Sequence, residues 1–145
     1  MDLSKLFPLD YRNVRIGVEA ENLGKNSQSI SLFCRYEEGR GWIEFNIAGD
    51  GTYNILAYNE LEGTGYKLLF NGGSTAIKIG KATNTYIAEC IEDELALYIN
   101  GVEVKTMPIP NAYRFLDEGE VGFSVSSFDS LPVFVELDWF WIESP

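Results

Sequence analysis

The sequence predicts an all-β protein, a two-sheet antiparallel jelly-roll sandwich formed by a single domain over residues 1–145. Three observations support this prediction. Apolar and polar residues alternate with a period of two, no window of a dozen residues shows helical periodicity, and turn signals separate the alternating segments at hairpin spacing. A chain of 145 residues has the usual length of one domain and can bury roughly two-thirds of its unfolded surface.

The predicted strands follow one another with short connections. In the first, over residues 14–20, Val14, Ile16 and Val18 alternate with polar neighbours, as in a half-buried strand. The next three segments are expected to form a meander over residues 30–36, 42–48 and 52–58. The other predicted strands are 66–70, 76–79, 85–91, 94–99, 102–104, 121–127 and 133–142, and residues 107–118, which contain two prolines, are predicted to be a surface loop.

The strongest local signal is the dipeptide Asn100-Gly101, which separates two alternating apolar segments. A two-residue type I′ turn needs positive φ at both central positions, and Asn followed by Gly meets that need at the lowest steric cost. A tight hairpin is therefore predicted over residues 95–104.

Three segments follow one another in the order of a known group of proteins. Residues 95–104 read Leu-x-Leu-Tyr-Ile-Asn-Gly-x-x-Val, residues 119–123 read Gly-x-Val-Gly-Phe, and residues 135–142 form an apolar strand with Asp138. Together they resemble the concanavalin A-like lectin/glucanase superfamily, including its bacterial extracellular members and laminin G-like modules. The resemblance implies the jelly-roll fold and an extracellular or cell-surface location. Its motifs describe turns and core positions, so it implies no single function.

The charge of the chain restricts its partners. Eleven basic and 22 acidic residues give a net charge of −11, and the basic residues are scattered. Attraction to a phosphate backbone or to anionic lipid is therefore lacking, and no apolar run approaches the roughly 20 residues of a membrane span. Residues 1–8 carry no signal-peptide pattern, as in a mature secreted domain. We expect no nucleic-acid partner and no membrane span, whereas a neutral glycan suits an acidic surface.

The two cysteines, Cys34 and Cys90, lie within apolar strand segments. Two explanations fit equally well. They are either two buried small hydrophobic residues, or one disulfide between strands, which would indicate an oxidising compartment. Neither explanation gives a zinc site, because two thiols without histidine cannot complete a tetrahedral shell and the chain has no histidine.

The last predicted strand can be compared with a catalytic motif of the resembled superfamily. Family 16 glucanases alternate Glu, Asp and a second Glu along one face of a strand. Here Glu136 and Asp138 match the first two places, but the third falls on Phe140 or, with a bulge, on Trp141. Retaining glycosidases need two carboxyl groups about 5 to 5.5 Å apart, and Glu143 has the wrong parity to partner Glu136. No catalytic site is therefore predicted.

Other chemistries are also disfavoured. The absence of histidine removes Ser-His-Asp and Cys-His catalysis and histidine-based metal sites. Relatives of the resembled fold often hold calcium in acidic loops, and the candidates are residues 92–94 and 117–120. Neither has the alternating ligand spacing of a dedicated calcium loop. Solvated acidic turns are favoured over calcium binding, which stays open as an alternative without a supporting motif, and no other metal or cofactor is predicted.

The meander offers a candidate ligand-binding face. Parity directs apolar residues such as Leu32 and Phe45 to the core and a polar and aromatic set outward. Lectin-like relatives hold sugars on such a face, and here Arg35 and Glu44 would be cross-strand neighbours while Trp42 stacks on a sugar ring. The alternative is a solvated face with one ion pair worth at most about 1 kcal/mol. The candidate ligand-binding residues are Arg35, Trp42, Glu44, Asn46, Asn54 and Tyr58.

The last strand also presents a conflict. Trp139 and Trp141 share the parity of Val133, and their spacing predicts core positions. Phe140 and Ile142 then occupy the opposite face, so both faces would be apolar. A bulge near residue 138, a covering segment over residues 3–7, or a partner protein would each resolve the conflict.

Three functions fit the sequence. The first is a non-catalytic extracellular binding or accessory module that recognises a carbohydrate or a protein surface. The second is a glycan-active hydrolase with a degenerate site, using Glu136 with Glu44 or Asp138. The third is a structural interaction domain of a larger surface protein. The lack of histidine and of paired carboxylates favours the first over the second, and no pattern predicts an oligomeric state.

Overall fold

The computed structural model describes residues 3–22, 28–63, 65–127 and 135–145, with side chains for residues 5–22, 28–63, 65–125 and 139–145. No helix within these ranges has the length and apolar character needed to cross a membrane. The elements are β1 (Leu3–Tyr11), β2 (Val14–Asn22), β3 (Gln28–Glu37), β4 (Gly41–Ala48), β5 (Thr52–Asn59), β6 (Tyr66–Gly73), β7 (Thr83–Ile91), β8 (Glu94–Ile99), β9 (Val102–Pro108), a 3₁₀ helix (Asn111–Tyr113), β10 (Gly119–Ser127) and β11 (Val135–Glu143).

The strands form two antiparallel sheets. One has six strands in the order β1-β10-β3-β4-β5-β6, and the other has five in the order β11-β2-β7-β8-β9. The predicted meander is present as β3-β4-β5, and the predicted hairpin as β8-β9. The prediction of an all-β, two-sheet jelly-roll sandwich is confirmed.

Period-two alternation builds the core between the sheets. In β2, Val14, Ile16 and Val18 are fully buried, whereas Arg15 and Glu19, which have the opposite parity, are half-buried on the other face. Inward residues of both sheets form one contiguous hydrophobic cluster. Each fully buried Val, Leu, Ile or Phe side chain contributes roughly 1.5–3 kcal/mol relative to exposure, so the cluster sets the faces of all the central strands.

Strand β1 was not expected from the sequence. It lies at the edge of the six-stranded sheet and pairs only with β10, and its register shifts between Phe7 and Tyr11, around Pro8. Proline is tolerated at an edge or a bulge because no ladder donor is needed there. The edge position therefore explains why this segment lacks the clean alternation of a central strand.

The segment 76–79 is not a strand, contrary to the prediction. Side chains take the place of a neighbouring strand: Asn84 accepts a hydrogen bond from the Lys78 backbone N–H and donates one to the Lys78 carbonyl, at 2.9 and 3.0 Å. Ile77 is nevertheless 3% exposed and belongs to the core. The apolar character that predicted a strand reflects this burial rather than sheet pairing.

The turn at Asn100-Gly101 has the predicted geometry, with φ of 52° and 82°. The Asn100 side chain does more than favour the turn. Its Nδ2 donates to the Ala76 carbonyl and to Asn84 Oδ1, each at 2.8 Å, and its Oδ1 accepts from the Thr85 N–H at 2.9 Å. The hairpin tip is thereby tied to the loop that follows β6.

The two cysteines form a disulfide between Cys34 in β3 and Cys90 in β7. Both residues are fully buried, and their Cα atoms lie 6.6 Å apart. Because β3 and β7 belong to different sheets, the bond crosses the core and links the two layers. Of the two explanations left open by the sequence, the structure has the disulfide.

A bulge resolves the conflict in β11. The register against β2 shifts between Leu137 and Trp139, which makes Asp138 the additional residue. Beyond the bulge, Phe140 packs on the core and stacks on Phe7 of β1, with ring centroids 4.9 Å apart. Two of the predicted resolutions, the bulge and the cover from the N-terminal segment, are thus present together.

The prediction that Trp139 and Trp141 are core residues is wrong, because the bulge reverses the parity on which it rested. Trp139 is 51% exposed, and the benzo ring of Trp141 lies over Gly17 on the outward face of the five-stranded sheet. Val133, which was assigned to the same face, lies outside the described residues.

Candidate ligand-binding site

The outward face of the six-stranded sheet carries most of the predicted site. Core residues alternate with Trp42, Glu44 and Asn46 along β4 and with Asn54 and Tyr58 along β5. In the β4–β5 register, Trp42 lies opposite Tyr58 and Asn46 opposite Asn54. The structure therefore brings these five predicted residues together on neighbouring strands.

Arg35, the sixth predicted residue, does not lie on this face. A bulge in β3 and a left-handed backbone, with φ of 54°, turn the side chain away from Glu44, and the residue is 1% exposed. Its guanidinium donates to the carbonyl oxygens of Glu92 at 2.5 Å, Arg12 at 2.9 Å and Leu116 at 3.3 Å. Burial lowers the pKa of Arg35 from its usual value. The predicted ion pair with Glu44 is wrong, because the parity argument assumed an unbroken strand.

Glu44 instead anchors a hydrogen-bonded row of polar side chains, which we call the polar row: Ser29, Ser31, Glu44 and Asn46. Ser31 Oγ donates to Glu44 Oε2 at 2.8 Å, and Asn46 Nδ2 donates to Ser31 Oγ at 2.8 Å and to Ser29 Oγ at 3.2 Å. Glu44 is 7% exposed. A carboxylate has about four acceptor positions, so the row presents an oriented acceptor with capacity for a further donor.

Beside the polar row stands an aromatic wall made of Tyr36, Trp42, Tyr58 and Tyr66. Trp42 stacks on Tyr58, with centroids 4.5 Å apart, and on Tyr36, at 5.2 Å. These tyrosines come from β5 and β3, on either side of β4, so both faces of the indole are covered and a sugar ring cannot stack on Trp42 as the sequence predicted. The open ring is that of Tyr66, which is 53% exposed and meets Trp42 edge to face at 5.8 Å.

The polar row and the aromatic wall meet at Glu44. Trp42 Nε1 donates to Glu44 Oε1 at 3.2 Å, and the Tyr66 hydroxyl lies close enough to Glu44 for the carboxylate to affect its pKa. Burial, and then the negative charge of Glu44, raise the pKa of Tyr66 far above its ordinary value. Tyr66 therefore stays a neutral hydroxyl near neutral pH and cannot repel a ligand by charge.

A cavity of about 160 Å³ opens at the end of the aromatic wall. Small-molecule pockets are typically about 300–1,000 Å³, so this one has room for a single small ring. The rest of a longer ligand would have to lie along the open sheet. The cavity is lined by Lys5, Leu6, Phe33, Tyr36, Trp42 and Tyr66.

Several residues of this site were not predicted. Asn71 of β6 donates through Nδ2 to Asn54 Oδ1 at 2.6 Å and extends the polar surface by one strand. Ser31 shares the parity of Phe33, so the alternation along β3 already carried the signal that would have placed it on this face. Tyr66 had no such signal, because the sequence does not determine that its strand pairs with β5.

The acidic candidates have other partners. Glu92 accepts hydrogen bonds from Asn13 at 2.9 Å and Arg12 at 3.1 Å, and these bonds hold the pKa of Glu92 below its usual range. Asp93 faces Arg114 at 3.9 Å, and residues 117 and 118 are exposed. Within the described residues, no group of three or more His, Cys, Asp or Glu side chains is arranged to hold a metal ion.

The carboxyl groups considered for catalysis do not form a pair in the described part of the chain. The side chains of Glu136 and Asp138 lie outside the described residues. The positions that surround Glu44 on its own face are Trp42 and Asn46 along β4 and Phe33 and Leu56 across the neighbouring strands, and none carries a carboxyl group.

Comparisons with known proteins give likeness in fold only. No protein-family model and no curated protein matches the sequence. Among solved structures, the chain is similar to the carbohydrate-binding module CBM66 from Bacillus subtilis, with a TM-score of 0.75 and 13% identity over 99% of this chain and 82% of that one. It is also similar to sheep galectin-11 in complex with glycerol, with a TM-score of 0.66 and 13% identity over 97% of this chain and 96% of the galectin.

A third similar structure is a glycoside hydrolase family 16 endo-glucanase from Bacteroides ovatus. Its TM-score is 0.66, with 14% identity over 96% of this chain and 71% of the enzyme. The three proteins share the jelly-roll sandwich with this chain, while one is a binding module, one a galectin and one a hydrolase. Identity this low carries the architecture and leaves the function to the residues of the site.

Proposed function

We propose that this chain, a jelly roll of the concanavalin A-like lectin/glucanase superfamily, is a non-catalytic module that binds a neutral carbohydrate on the outward face of its six-stranded sheet. The observation that carries the proposal is the polar row beside the aromatic wall. Glu44, held by Ser31 and Trp42, faces outward next to the half-exposed ring of Tyr66.

This combination matches the two chemical faces of a sugar. Sugar hydroxyl groups need fixed hydrogen-bond partners, and the polar row supplies oriented acceptors and donors on a rigid sheet. The C–H face of a sugar ring needs an apolar plane, which Tyr66 supplies together with Leu68, 49% exposed on the same strand. A few placed polar groups beside aromatic surface are the usual composition of a small-molecule site.

The electrostatics favour a neutral ligand over an anionic one. Glu44 is an acceptor at the centre of the site, and the chain carries a net charge of −11. A uronate or sulfated sugar would bring a like charge towards Glu44, and like charges at close range disfavour binding. Lys5 at the cavity is the one cation among its lining residues.

The surroundings of Glu44 support binding without hydrolysis. A retaining glycosidase places its second carboxyl group about 5 to 5.5 Å from the first, and the four positions around Glu44 are aromatic, amide or aliphatic. The disulfide between the sheets supports an extracellular or cell-surface location, because such bonds persist in oxidising compartments.

Isothermal titration against mixed-linkage β-glucan, β-1,3-glucan, lactose and alginate tests the proposal. We expect binding to at least one of the three neutral glycans and none to alginate. Glu44→Gln removes a hydrogen bond to a charged acceptor, worth about 1.5–3 kcal/mol, and should raise Kd roughly ten- to hundredfold. Tyr66→Ala should raise Kd at least tenfold.

Lys67→Ala serves as the matched control, because Lys67 is exposed on the same strand as Tyr66 but has the opposite parity. Its Kd should equal that of the wild type. The proposal fails if no neutral glycan binds, or if the Glu44 and Lys67 variants bind alike. Release of reducing ends from either β-glucan, lost in Glu44→Gln, would show an enzyme instead.

A further inference from the structure

A second aromatic surface lies on the opposite side of the sandwich, far from the polar row. The bulge in β11 turns Trp139 and Trp141 outward on the five-stranded sheet, where their rings pack against each other at an interplanar angle of 30° with centroids 4.2 Å apart. Trp139 is 51% exposed. An exposed indole leaves a large apolar area in water, which core packing does not explain.

The two indoles are held in place by their surroundings. A Cβ added to Gly17 would stand 2.0 Å from Cζ2 of Trp141, so the ring fills the space that any other residue would need. The Nε1 group of Trp139 donates to a carboxylate oxygen of Glu19, the residue opposite it on β2. The ring positions are thus fixed before any ligand arrives, and such preorganisation reduces the entropy cost of binding.

The charged groups beside the pair are already neutralised in part. Arg15 donates to Glu89 from Nε at 2.7 Å and lies 3.5 Å from Glu143, so its charge is taken up by two carboxylates. Glu89 lies on β7, two strands from β11, and borders an open cavity of about 570 Å³ whose lining includes neither tryptophan. The carboxylates next to the tryptophans are therefore those of Glu19 and Glu143, and no unpaired cation lies among these residues.

We infer that Trp139 and Trp141 form a second glycan-binding platform, which takes the apolar face of a neutral sugar ring while the bordering carboxylates of Glu19 and Glu143 accept its hydroxyl groups. The inference rests on the proposed function for the class of ligand but uses a separate site. The carboxylates exclude an anionic ligand by charge.

The size of the surface favours a sugar over a protein. A stable protein interface involves about 20–30 residues on each side, around a core depleted in charge. Here two indoles are bordered directly by Glu19 and Glu143, so the apolar area ends within one residue of a charge. A pair of rings of this extent matches one or two sugar units.

Two platforms on opposite faces of one sandwich engage different glycan chains. Packed sheets lie about 10 Å apart, and both platforms point away from the core, so a single chain would have to pass around the sheet edge to contact both. The domain would then be bivalent. Bivalency raises the apparent affinity for a polysaccharide surface without any new contact.

Tryptophan fluorescence separates the two sites, because the chain has three tryptophans. Trp42→Phe leaves the indoles of the platform as the only reporters, and the double variant Trp139→Phe with Trp141→Phe leaves only Trp42. Each is titrated with mixed-linkage β-glucan, β-1,3-glucan and lactose. We expect one of these glycans to shift the emission of both proteins, with separate affinities.

Adding Trp139→Ala to the Trp42→Phe protein leaves Trp141 as the reporter. The Kd read from its emission should rise about tenfold, which corresponds to about 1.4 kcal/mol. Val102→Ala is the control, because Val102 is 52% exposed on β9 of the same sheet. A response from Trp42 alone overturns the inference and leaves the proposed function standing. A response from the platform alone supports the inference and overturns the first site. A salt-sensitive response to poly-lysine with none to the glycans overturns the inference in favour of a basic protein partner.

Discussion

The guanidinium of Arg35 and the backbone carbonyl of Glu92 meet at 2.5 Å although the residues are 57 positions apart in the chain. Both residues have left-handed backbone, with φ of 54° and 50°. Arg35 directly follows Cys34, and Glu92 lies two residues beyond Cys90, so this contact stands beside the disulfide. A covalent and a hydrogen-bonded link thus join β3 to the end of β7 at one corner of the sandwich.

Arg35→Met tests the hydrogen-bonded link. It keeps much of the side-chain volume but leaves three carbonyl groups without their donor, and each unsatisfied buried group costs about 1–3 kcal/mol. We expect the free energy of unfolding to fall by about 3 kcal/mol in urea denaturation. Glycan affinity at the polar row should not change, since Arg35 lies away from that face.

Arg12→Met is the control for this variant. Its side chain makes a solvent-exposed ion pair with Glu92, which contributes little to stability, while its backbone carbonyl would remain. Equal losses of stability in the two variants would contradict the role assigned to Arg35.

The disulfide is the subject of a second prediction. Replacing Cys34 and Cys90 together by alanine removes a cross-link across 56 residues, which the chain-entropy relation values at about 4 kcal/mol. Denaturant unfolding should show a loss of this order. Thiol titration of the unreduced protein should find no free thiol even in denaturant, and two free thiols there would disprove the bond.

Asn100→Gly separates the two roles of Asn100. Glycine keeps the positive φ of the turn but removes the three side-chain hydrogen bonds to Ala76, Asn84 and Thr85. We expect a loss of about 1–3 kcal/mol and faster hydrogen exchange at the Thr85 amide. Gly101→Asn is the matched control, since a Cβ at position 101 would meet no atom within 4 Å and asparagine adopts positive φ more readily than most non-glycine residues. If Asn100 served only to favour the turn, the two variants would lose equally little stability, and that result would contradict the role assigned to the three hydrogen bonds.

Alkaline pH should destabilise the protein through Tyr86. Burial raises the pKa of Tyr86 to about 12, against about 10 in an unfolded chain. Above pH 10 the unfolded state releases this proton first, so stability is complete below pH 10 and falls towards pH 12, by up to about 1.4 kcal/mol per pH unit. Urea denaturation between pH 9 and pH 12 should show a shallower fall in Tyr86→Phe. Equal slopes would contradict the prediction.

The sequence predicted those features that depend on local chemistry. The turn at Asn100 needed only its own two residues, and the alternation of Val14, Ile16 and Val18 was enough to set the faces of β2. The superfamily resemblance likewise rested on strand motifs of this kind. Each of these signals lies within about ten residues of the chain.

The errors arose where period two is interrupted. Arg35 lies within a bulge and Trp139 follows one, and one additional residue exchanges the inward and outward positions expected from alternation. Alternation alone gives no position for a bulge, because its cause lies in the partner strand and in the backbone. The sequence analysis also missed Tyr66 and Asn71 as residues of the site. They reach it through the pairing of β6 with β5, which is determined only in the folded sheet.

The bulge at residue 138 determines which residues of β11 face the core and which face outward. The strand carries two alternating sets of large residues, and the single additional residue selects Phe140 and Ile142 for the interior and the tryptophans for display. Because Leu137 lies opposite Ala20 and Trp139 opposite Glu19, deleting Asp138 would remove the bulge and leave both sets on their faces, whereas pairing Asp138 as a regular strand residue would exchange them. A change in the pairing of one residue can therefore alter the surface chemistry of such a strand without replacing any of its aromatic residues.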